Sequence, residues 1–355
     1  MTAEAVGRRS KTSRRSTSQW IALIAGWTVS ALVVAWVLVF AQGTPAEPLV
    51  SDPRDFVKVL LNALTIAGLY FVVASGFTLI FGLMRVVNLA HGSFFLLGGY
   101  LALEFQRLMV GKSRNILSDE VSVMAWVLPL VLAALIAGVL GLTMQQVFLR
   151  RFQGQDMRET MITIAISVIL ADLMVAWFGS TAVDISWPGL IDNAITVFGI
   201  RYSVTRLFML FVAIIVGVAL WAWLQKTRTG MVIRAGVDDT SMVQALGINV
   251  QVVFAVAFFV GSALAGIGGV MGGSFASLGA GVDGLWLLNS IIVVIVGGMG
   301  SLTGALAGAL LLGTVTAFAP AYLPANFTHY SIIFTFVLLA AVLAWRPYGL
   351  FGRPE

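Results

Sequence analysis

The chain has 355 residues, of which 59% are hydrophobic and 10% are charged, and its mean hydropathy is +0.97. Because soluble domains carry about 25% charged residues, this composition excludes a water-soluble fold. The net charge is +5, and the sequence contains no cysteine, which excludes disulfides, thiol catalysis and cysteine metal sites.

Ten apolar segments follow one another between residues 20 and 345. A hydrocarbon core of about 30 Å needs about 20 helical residues to cross it, so these segments predict transmembrane helices. The predicted spans are 20–40, 57–81, 88–108, 124–147, 160–180, 205–224, 250–278, 285–299, 301–320 and 330–345. A basic tail precedes the first span, as in a signal peptide, but the apolar region is longer than the roughly 7 to 15 residues typical of one. The sequence therefore predicts an all-α, polytopic membrane protein with about ten transmembrane helices.

The distribution of basic residues predicts the orientation of these spans. With the N terminus in the cytoplasm, 14 of the 21 lysines and arginines lie inside and the other 7 lie outside, as the positive-inside rule requires. The polar, basic tail 1–19 is then a disordered cytoplasmic segment. Residues 20–346 form the transmembrane domain, and residues 347–355 form a second cytoplasmic tail. Topology accounts for the positive charge, so we expect no nucleic-acid partner.

Polar residues within the apolar spans are candidates for a solute pathway, because a polar group that faces lipid is costly. The pathway candidates are Asn62, Asn88, His91, Gly92, Asp172 and Asn289. Asn88 can instead cap the third span next to a hydrogen-bonded His91, and Asp172 can form an interhelical hydrogen bond. Glu104 has Arg107 three residues on, a spacing that favours an ion pair. The two histidines of the chain lie far apart in sequence, so no metal site is predicted.

The polar connection 225–251 lies between the sixth and seventh spans, on the predicted cytoplasmic side. Asp238 or Asp239 can cap a short helix that runs through Ala245 and ends near Gly247. The apolar face of this helix consists of Met242, Ala245 and Leu246. Such a face is suited to docking in the groove of a partner protein. An ordinary helix at the membrane interface fits the same spacing.

Two stripes of small residues predict close packing of helices. The first stripe runs through Gly261, Ala265, Gly269 and Gly273, and the second contains Gly304 and Gly308. So many glycines also favour interrupted helices of the kind found around transporter substrates. Seven identities at an offset of 215 residues, between 80–98 and 295–313, indicate a duplicated helical hairpin or arise from the shared composition.

Three segments carry the most specific pattern of the chain. They are GFTLIFGLMRVVNLAHG at 76–92, Arg234-Ala235 with Leu246-Gly247-Ile248, and VGGMGSLTG at 296–304. In this order they resemble the branched-chain amino acid permeases of ATP-binding-cassette uptake systems, specifically the LivH-type subunit. The resemblance covers about residues 62–346.

The resemblance implies an ABC importer permease fold and a set of partners. It makes the helix between Asp238 and Gly247 the coupling helix that presses into an ATPase subunit, with Arg234 in the same cytoplasmic segment. The implied partners are a second permease subunit, two ATP-binding-cassette ATPase subunits and an extracytoplasmic substrate-binding protein. The chain itself then binds no cofactor, and the partner subunits use the ATP. The implied location is the inner membrane of a bacterial cell, with both termini in the cytoplasm.

We therefore expect a transport subunit, and not an enzyme, that imports branched-chain or other hydrophobic amino acids by alternating access. A permease of the same family for urea, short amides or other small organic solutes is an alternative. An ion-coupled transporter with Asp172, Glu104 and His91 as a proton relay is another. The segment 111–113, Gly-Lys-Ser, is not expected to bind nucleotide, because Gln106 stands where a P-loop has glycine.

Overall fold

The computed structural model of the protein describes residues 53–111, 116–197, 200–323, 328 and 330–352. The predictions for the basic tail 1–19 and for the first span 20–40 lie outside these residues. The same holds for the end of the C-terminal tail, residues 353–355.

Within the described residues the chain forms eleven α-helices and one small β-hairpin. The helices are α1 (Pro53–Met84), α2 (His91–Val110), α3 (Met124–Val147), α4 (Asp156–Phe178), α5 (Val204–Lys226), α6 (Arg228–Asp238), α7 (Thr240–Ala245), α8 (Val250–Phe275), α9 (Val282–Gly297), α10 (Leu302–Tyr322) and α11 (Ser331–Trp345). The hairpin pairs β1 (Ala194–Val197) with β2 (Ile200–Ser203) in antiparallel orientation, in the connection between α4 and α5. Two short 3₁₀ segments, Ser118–Glu120 and Leu149–Phe152, flank α3.

Each of the nine predicted spans from residue 57 onward coincides with one of these helices, which confirms the all-α, polytopic architecture. Six of the helices are long and apolar enough to cross a bilayer, namely α1, α3, α4, α5, α8 and α10. Helices α9 and α11 are apolar but shorter. The β-hairpin is a departure from the prediction, because strands of four residues are too short to produce a recognisable alternation in sequence.

Helix α1 forms the centre of the bundle, and α5, α8, α9 and α10 pack around it. Helix α2 packs against both α3 and α8. Small residues permit the closest approaches: Gly98 of α2 lies against Gly266 of α8, where an added Cβ would come within 2.4 Å of the Gly266 Cα atom. Helix α4 lies at the periphery, where it contacts α2.

The described part of the C-terminal tail folds back onto the end of α9. The Leu350 N–H donates to the Val296 carbonyl at 2.9 Å, and the Phe351 N–H donates to the Gly297 carbonyl at 2.9 Å. These bonds satisfy carbonyl groups that have no partner within the last turn of a helix. The tail therefore ties the end of α11 to the end of α9.

Candidate functional site

The connection between α1 and α2 places the start of α2 inside the bundle. Helix α1 ends at Met84, and Arg85 follows with a φ of +57°, in the left-handed region. His91 Nε2 donates to the Val73 carbonyl oxygen over 2.9 Å, since a carbonyl can only accept. Val73 lies eleven residues before the end of α1, so α2 begins about 16 Å above that end. Helix α2 therefore begins part-way along α1, and the third predicted span, 88–108, agrees with α2 to within three residues at each end.

The first turn of α9 meets the first turn of α2 at this depth. A Cβ added to Gly92 would lie 2.3 Å from the Asp283 carbonyl oxygen and 2.9 Å from the Leu287 Cβ atom. The N terminus of a helix carries backbone N–H groups without intrahelical partners and a partial positive charge. Interrupted helices with such termini hold anionic substrate groups in transporters. The first turn of α9 also carries the side chain of Asp283, so this junction combines helix N–H groups with one carboxylate.

Asn88 and His91 are both buried beside this junction. Asn88 Oδ1 accepts the N–H of Ala90 at 3.2 Å, so Asn88 forms a turn just before the helix, and Ala90 occupies the N-cap position that the sequence assigned to Asn88. The ring of His91 packs edge-on against Phe77, with the ring centroids 5.5 Å apart. Asn88 Nδ2 and His91 Nδ1 have no hydrogen-bond partner among the described residues.

The other pathway candidates occupy separate places. Asn62 accepts a hydrogen bond from Arg206, which joins α1 to α5. Asp172 is exposed on α4 and hydrogen-bonds to none of the described residues, so the interhelical bond considered for it is missing from this part of the chain. Asn289 is half-buried on α9. The described residues also contain no group of three or more His, Asp or Glu side chains placed to hold a metal ion.

One polar contact joins α2 to its neighbour α4, and another lies within α2 itself. The Ser93 and Ser167 hydroxyl groups lie 2.9 Å apart and join α2 to α4. Glu104 pairs with Arg107 at 2.5 Å, as their spacing predicts. The serine pair was not predicted, because single serines in apolar helices carry no signal for the helix that they face.

Helix α7 is the short capped helix that the sequence predicts in the cytoplasmic connection. Asp239 Oδ1 accepts the N–H groups of Ser241 at 2.9 Å and of Met242 at 3.0 Å. Gly247 follows the helix with a φ of +79°, the left-handed form in which glycine ends helices. Val243 faces the protein and is buried. The outward face is exposed and consists of Met242 (63%), Ala245 and Leu246 (70%).

The cap of α7 lowers the pKa of Asp239. The Ser241 hydroxyl donates to the carboxylate at 2.6 Å and is the largest cause, and the Met242 N–H and the positive charge of Arg85 act in the same direction. A carboxyl with a lowered pKa stabilises the fold above its ordinary pKa and loses that contribution as the pH falls through the lowered value. The cap is therefore fully formed at neutral pH.

Helix α6 connects α7 to the ends of two long helices. Val237 of α6 faces Gly82 near the end of α1 and Gly300 in the turn between α9 and α10, with a methyl group 3.4 Å from each glycine's Cβ position. On the same side, Leu83 Cδ2 lies 2.9 Å from the position of a Cβ on Gly236. A displacement of α7 can therefore reach both the α1–α2 connection and the α9–α10 turn.

These two connections are equivalent in the internal repeat. Arg85 and Gly300 are separated by the 215 residues of the repeat offset, and both have a left-handed φ, +57° and +79°. Arg85 is the one non-glycine residue with a positive φ in the described part of the chain. A shared backbone turn at equivalent positions supports a duplicated hairpin over chance similarity of composition.

Arg234 does not share the exposed face of α7. Its Nη1 donates to Gln225 Oε1, and its side chain lines a groove of about 740 Å³ between α1, α5 and α10. The other members of the predicted coupling set, from Asp238 to Gly247, lie beyond this groove, in the end of α6, in α7 and in the turn that follows α7.

Comparisons with known proteins agree with this architecture. The family model described as "Branched-chain amino acid transport system / permease component" matches residues 59–343. The high-affinity branched-chain amino acid transport system permease protein LivH of Escherichia coli is 27% identical over 307 residues, which cover 84% of this chain and 96% of that protein. The corresponding BraD protein of Pseudomonas aeruginosa is 28% identical over 310 residues, which cover 84% and 97%.

A relative from Methanocaldococcus jannaschii, named as a probable branched-chain amino acid transport permease protein LivH, is 24% identical over 305 residues, covering 83% of this chain and 92% of that protein. No solved structure matches the chain. The family model extends over far more than half of the sequence, from α1 to α11. The chain therefore belongs to the family of permease components of branched-chain amino acid transport systems.

Proposed function

We propose that the chain is the membrane subunit of an ABC uptake system that imports branched-chain or other hydrophobic amino acids. Two separate ATPase subunits hydrolyse the ATP, a second permease subunit completes the membrane channel, and an extracytoplasmic binding protein delivers the substrate. The observation that carries this proposal is the capped helix α7, whose apolar outer face is exposed and whose inner side rests on the rest of the bundle.

The contacts of α6 give this proposal a mechanical basis. An ATPase subunit that moves on binding nucleotide would displace α7, and Val237 of α6 would pass the displacement to Gly82 and Gly300. Gly82 precedes the connection that leads into the α2 and α9 junction. The same push can therefore open or close the interrupted region of the membrane domain, which is what alternating access requires.

The α2 and α9 junction also suits the substrate class. A hydrophobic amino acid has an apolar side chain and a zwitterionic backbone. The N terminus of α2 provides partial positive charge for the carboxylate, and Asp283 in the first turn of α9 provides a negative charge for the ammonium group. The apolar helices around them suit the side chain. No fixed ion pair within the membrane is required for such a substrate.

Reconstitution with the partner subunits tests the transport mechanism. Proteoliposomes that contain the complete complex and the binding protein should take up leucine, isoleucine or valine only when ATP is present on the side of the ATPase subunits. Uptake of radiolabelled solutes, with urea and acetamide as alternatives, measures both the dependence of transport on ATP and the choice of substrate. Uptake that continues unchanged without nucleotide would contradict the mechanism.

We place both termini and α7 in the cytoplasm of a bacterial cell, with the multi-pass chain in its inner membrane. The excess of basic residues in the connections on that side supports this orientation. It is also the orientation in which the exposed face of α7 meets ATPase subunits that use cytoplasmic ATP.

The outer face of α4 is our candidate for the contact with the second permease subunit. Only 11% of its most apolar stretch is buried within the chain. Asp172 lies on the exposed side of this helix, and a lone carboxylate that faces lipid costs about 3 kcal/mol near the centre of a bilayer. Met161, Ala165 and Val168 precede Asp172 on the exposed side at intervals of three and four residues. A second permease subunit that covers this face removes Asp172 from the lipid.

A single introduced thiol tests this contact, because the chain has no cysteine of its own. In the assembled complex, Asp172→Cys should react with a lipophilic maleimide several-fold more slowly than in the chain expressed without the second permease subunit. Ile333→Cys is the matched control, since Ile333 is 54% exposed on α11 and should react at the same rate in both preparations. Equal labelling of Asp172→Cys in both preparations would place the subunit contact elsewhere.

A further inference from the structure

A long groove runs along the outside of the bundle, with a volume of about 740 Å³. Helix α1 forms its floor, α5 and α10 form its walls, and α6 closes its cytoplasmic end. The lining extends from Leu64 to Leu79 on α1 and from Leu210 to Gln225 on α5. Fifteen residues of helix correspond to about 22 Å, which exceeds the roughly 15 Å depth of one leaflet of the hydrocarbon core. The groove therefore fits a long apolar chain better than a free amino acid.

The lining of the groove includes Ser75 and Thr78 of α1, whose hydroxyl groups donate to backbone carbonyls of their own helix. The other polar side chains, Gln225, Arg234, Ser301 and Thr303, lie toward its cytoplasmic end. Arg234 donates to the Gln225 side chain, and no carboxylate among the described residues pairs with it. Its Nε also has no hydrogen-bond partner in this part of the chain.

The groove is open sideways, toward the lipid. Val218 on the α5 wall is 59% exposed and Leu306 on the α10 wall is 46% exposed. An occupant can therefore enter from the bilayer without passing through either aqueous phase. A basic pocket between transmembrane helices on the cytoplasmic side is the environment that binds anionic lipid headgroups.

We propose that this groove binds an anionic phospholipid of the cytoplasmic leaflet, with the phosphate at Arg234 and one acyl chain along α1. The site depends on the orientation proposed above but not on which solute is transported. The bound lipid bridges α6 to α1 and α10, so it steadies the segment that carries α7.

Native mass spectrometry of the full complex, purified from membranes in a mild detergent, tests this site. The probes are phosphatidylglycerol and phosphatidylcholine with identical acyl chains. A single arginine near anionic lipid contributes about 1 kcal/mol, so we expect about fivefold preferential retention of phosphatidylglycerol. Arg234→Gln should bring the two lipids to equal retention. Arg228→Gln is the matched control, because Arg228 is exposed on the same helix and does not line the groove, and it should keep the preference.

A second variant separates loss of the site from loss of the fold. Leu306→Trp fills the groove from its exposed wall and should lower the retention of both lipids, while the complex still assembles and takes up substrate. Equal retention of the two lipids by the natural protein would overturn the proposal, and so would an undiminished preference in Arg234→Gln. If Leu306→Trp instead prevents assembly with the second permease subunit, the groove is a subunit contact and the lipid assignment is wrong.

Discussion

Replacing Met242 and Leu246 together with aspartate abolishes the association with the ATPase subunits and leaves the membrane bundle folded. Both side chains are more than half exposed, so the bundle does not need them for its own packing. In an apolar groove of a partner, however, two carboxylates would be buried without a counter-charge. Side chains at the centre of an interface contribute about 2 kcal/mol or more each, so we expect co-purification with a tagged ATPase to fall more than about tenfold.

A matched change on the other side of the membrane gives the control for this prediction. Leu190 is 81% exposed in the connection between α4 and β1, on the predicted external side. Leu190→Asp introduces the same chemistry and should retain normal co-purification and normal ATP-dependent uptake. Thermal unfolding in detergent should be equal for all three proteins. Normal ATPase binding and coupling in the Met242 and Leu246 double variant would remove α7 from the interface.

The sequence was sufficient to predict α7 because its ends are set by local chemistry. A carboxylate at Asp239 can reach the free N–H groups that follow it, and a glycine at 247 can adopt the left-handed conformation that ends a helix. Neither interaction depends on residues far away in the chain. The nine spans from residue 57 onward were predictable for a related reason, because a continuous apolar run in a membrane must be helical to satisfy its own backbone.

The depth at which α2 begins beside α1 was not predictable, because it is set by a contact between two helices. The hydrogen bond from His91 to Val73 fixes the level along α1 at which α2 begins. An apolar sequence does not indicate which residues of another helix it will pack against. Arg85 was missed because arginine does not ordinarily adopt a positive φ. The one signal available was the repeat, in which the equivalent of Arg85 is Gly300, a residue that adopts that conformation readily.

Asp172 illustrates a different limit of a single sequence. A carboxylate in an apolar span predicts a polar or protein environment, but it does not predict whether this chain or another one supplies that environment. The structure places the side chain on the exposed side of α4, where no described residue forms a hydrogen bond or ion pair with it. We therefore expect the group that shields Asp172 from lipid to come from a second permease subunit and not from the described part of this chain.

Gly269→Ala is the substitution with the largest expected effect on the fold itself. A Cβ at this position of α8 would lie 1.8 Å from the Phe95 carbonyl oxygen and 2.9 Å from the Gly99 backbone nitrogen, both in α2. Backbone atoms cannot move aside singly, so the whole of α2 would have to shift away from α8. Overpacking usually costs 1 to 3 kcal/mol, and with no flexible neighbour we expect more than about 3 kcal/mol.

Gly284→Ala provides the control for the same chemical change in a different environment. A Cβ on Gly284, in the first turn of α9, meets nothing within 4 Å, and alanine in a helix is favoured over glycine by about 1 kcal/mol. Thermal unfolding in detergent and the yield of monodisperse protein should therefore collapse for Gly269→Ala and stay unchanged or improve for Gly284→Ala. Equal stability of the two variants would mean that α2 and α8 are not in backbone contact. The position of the first turn of α2 depends on this contact between α2 and α8. The described junction between α2 and α9 would then also be wrong.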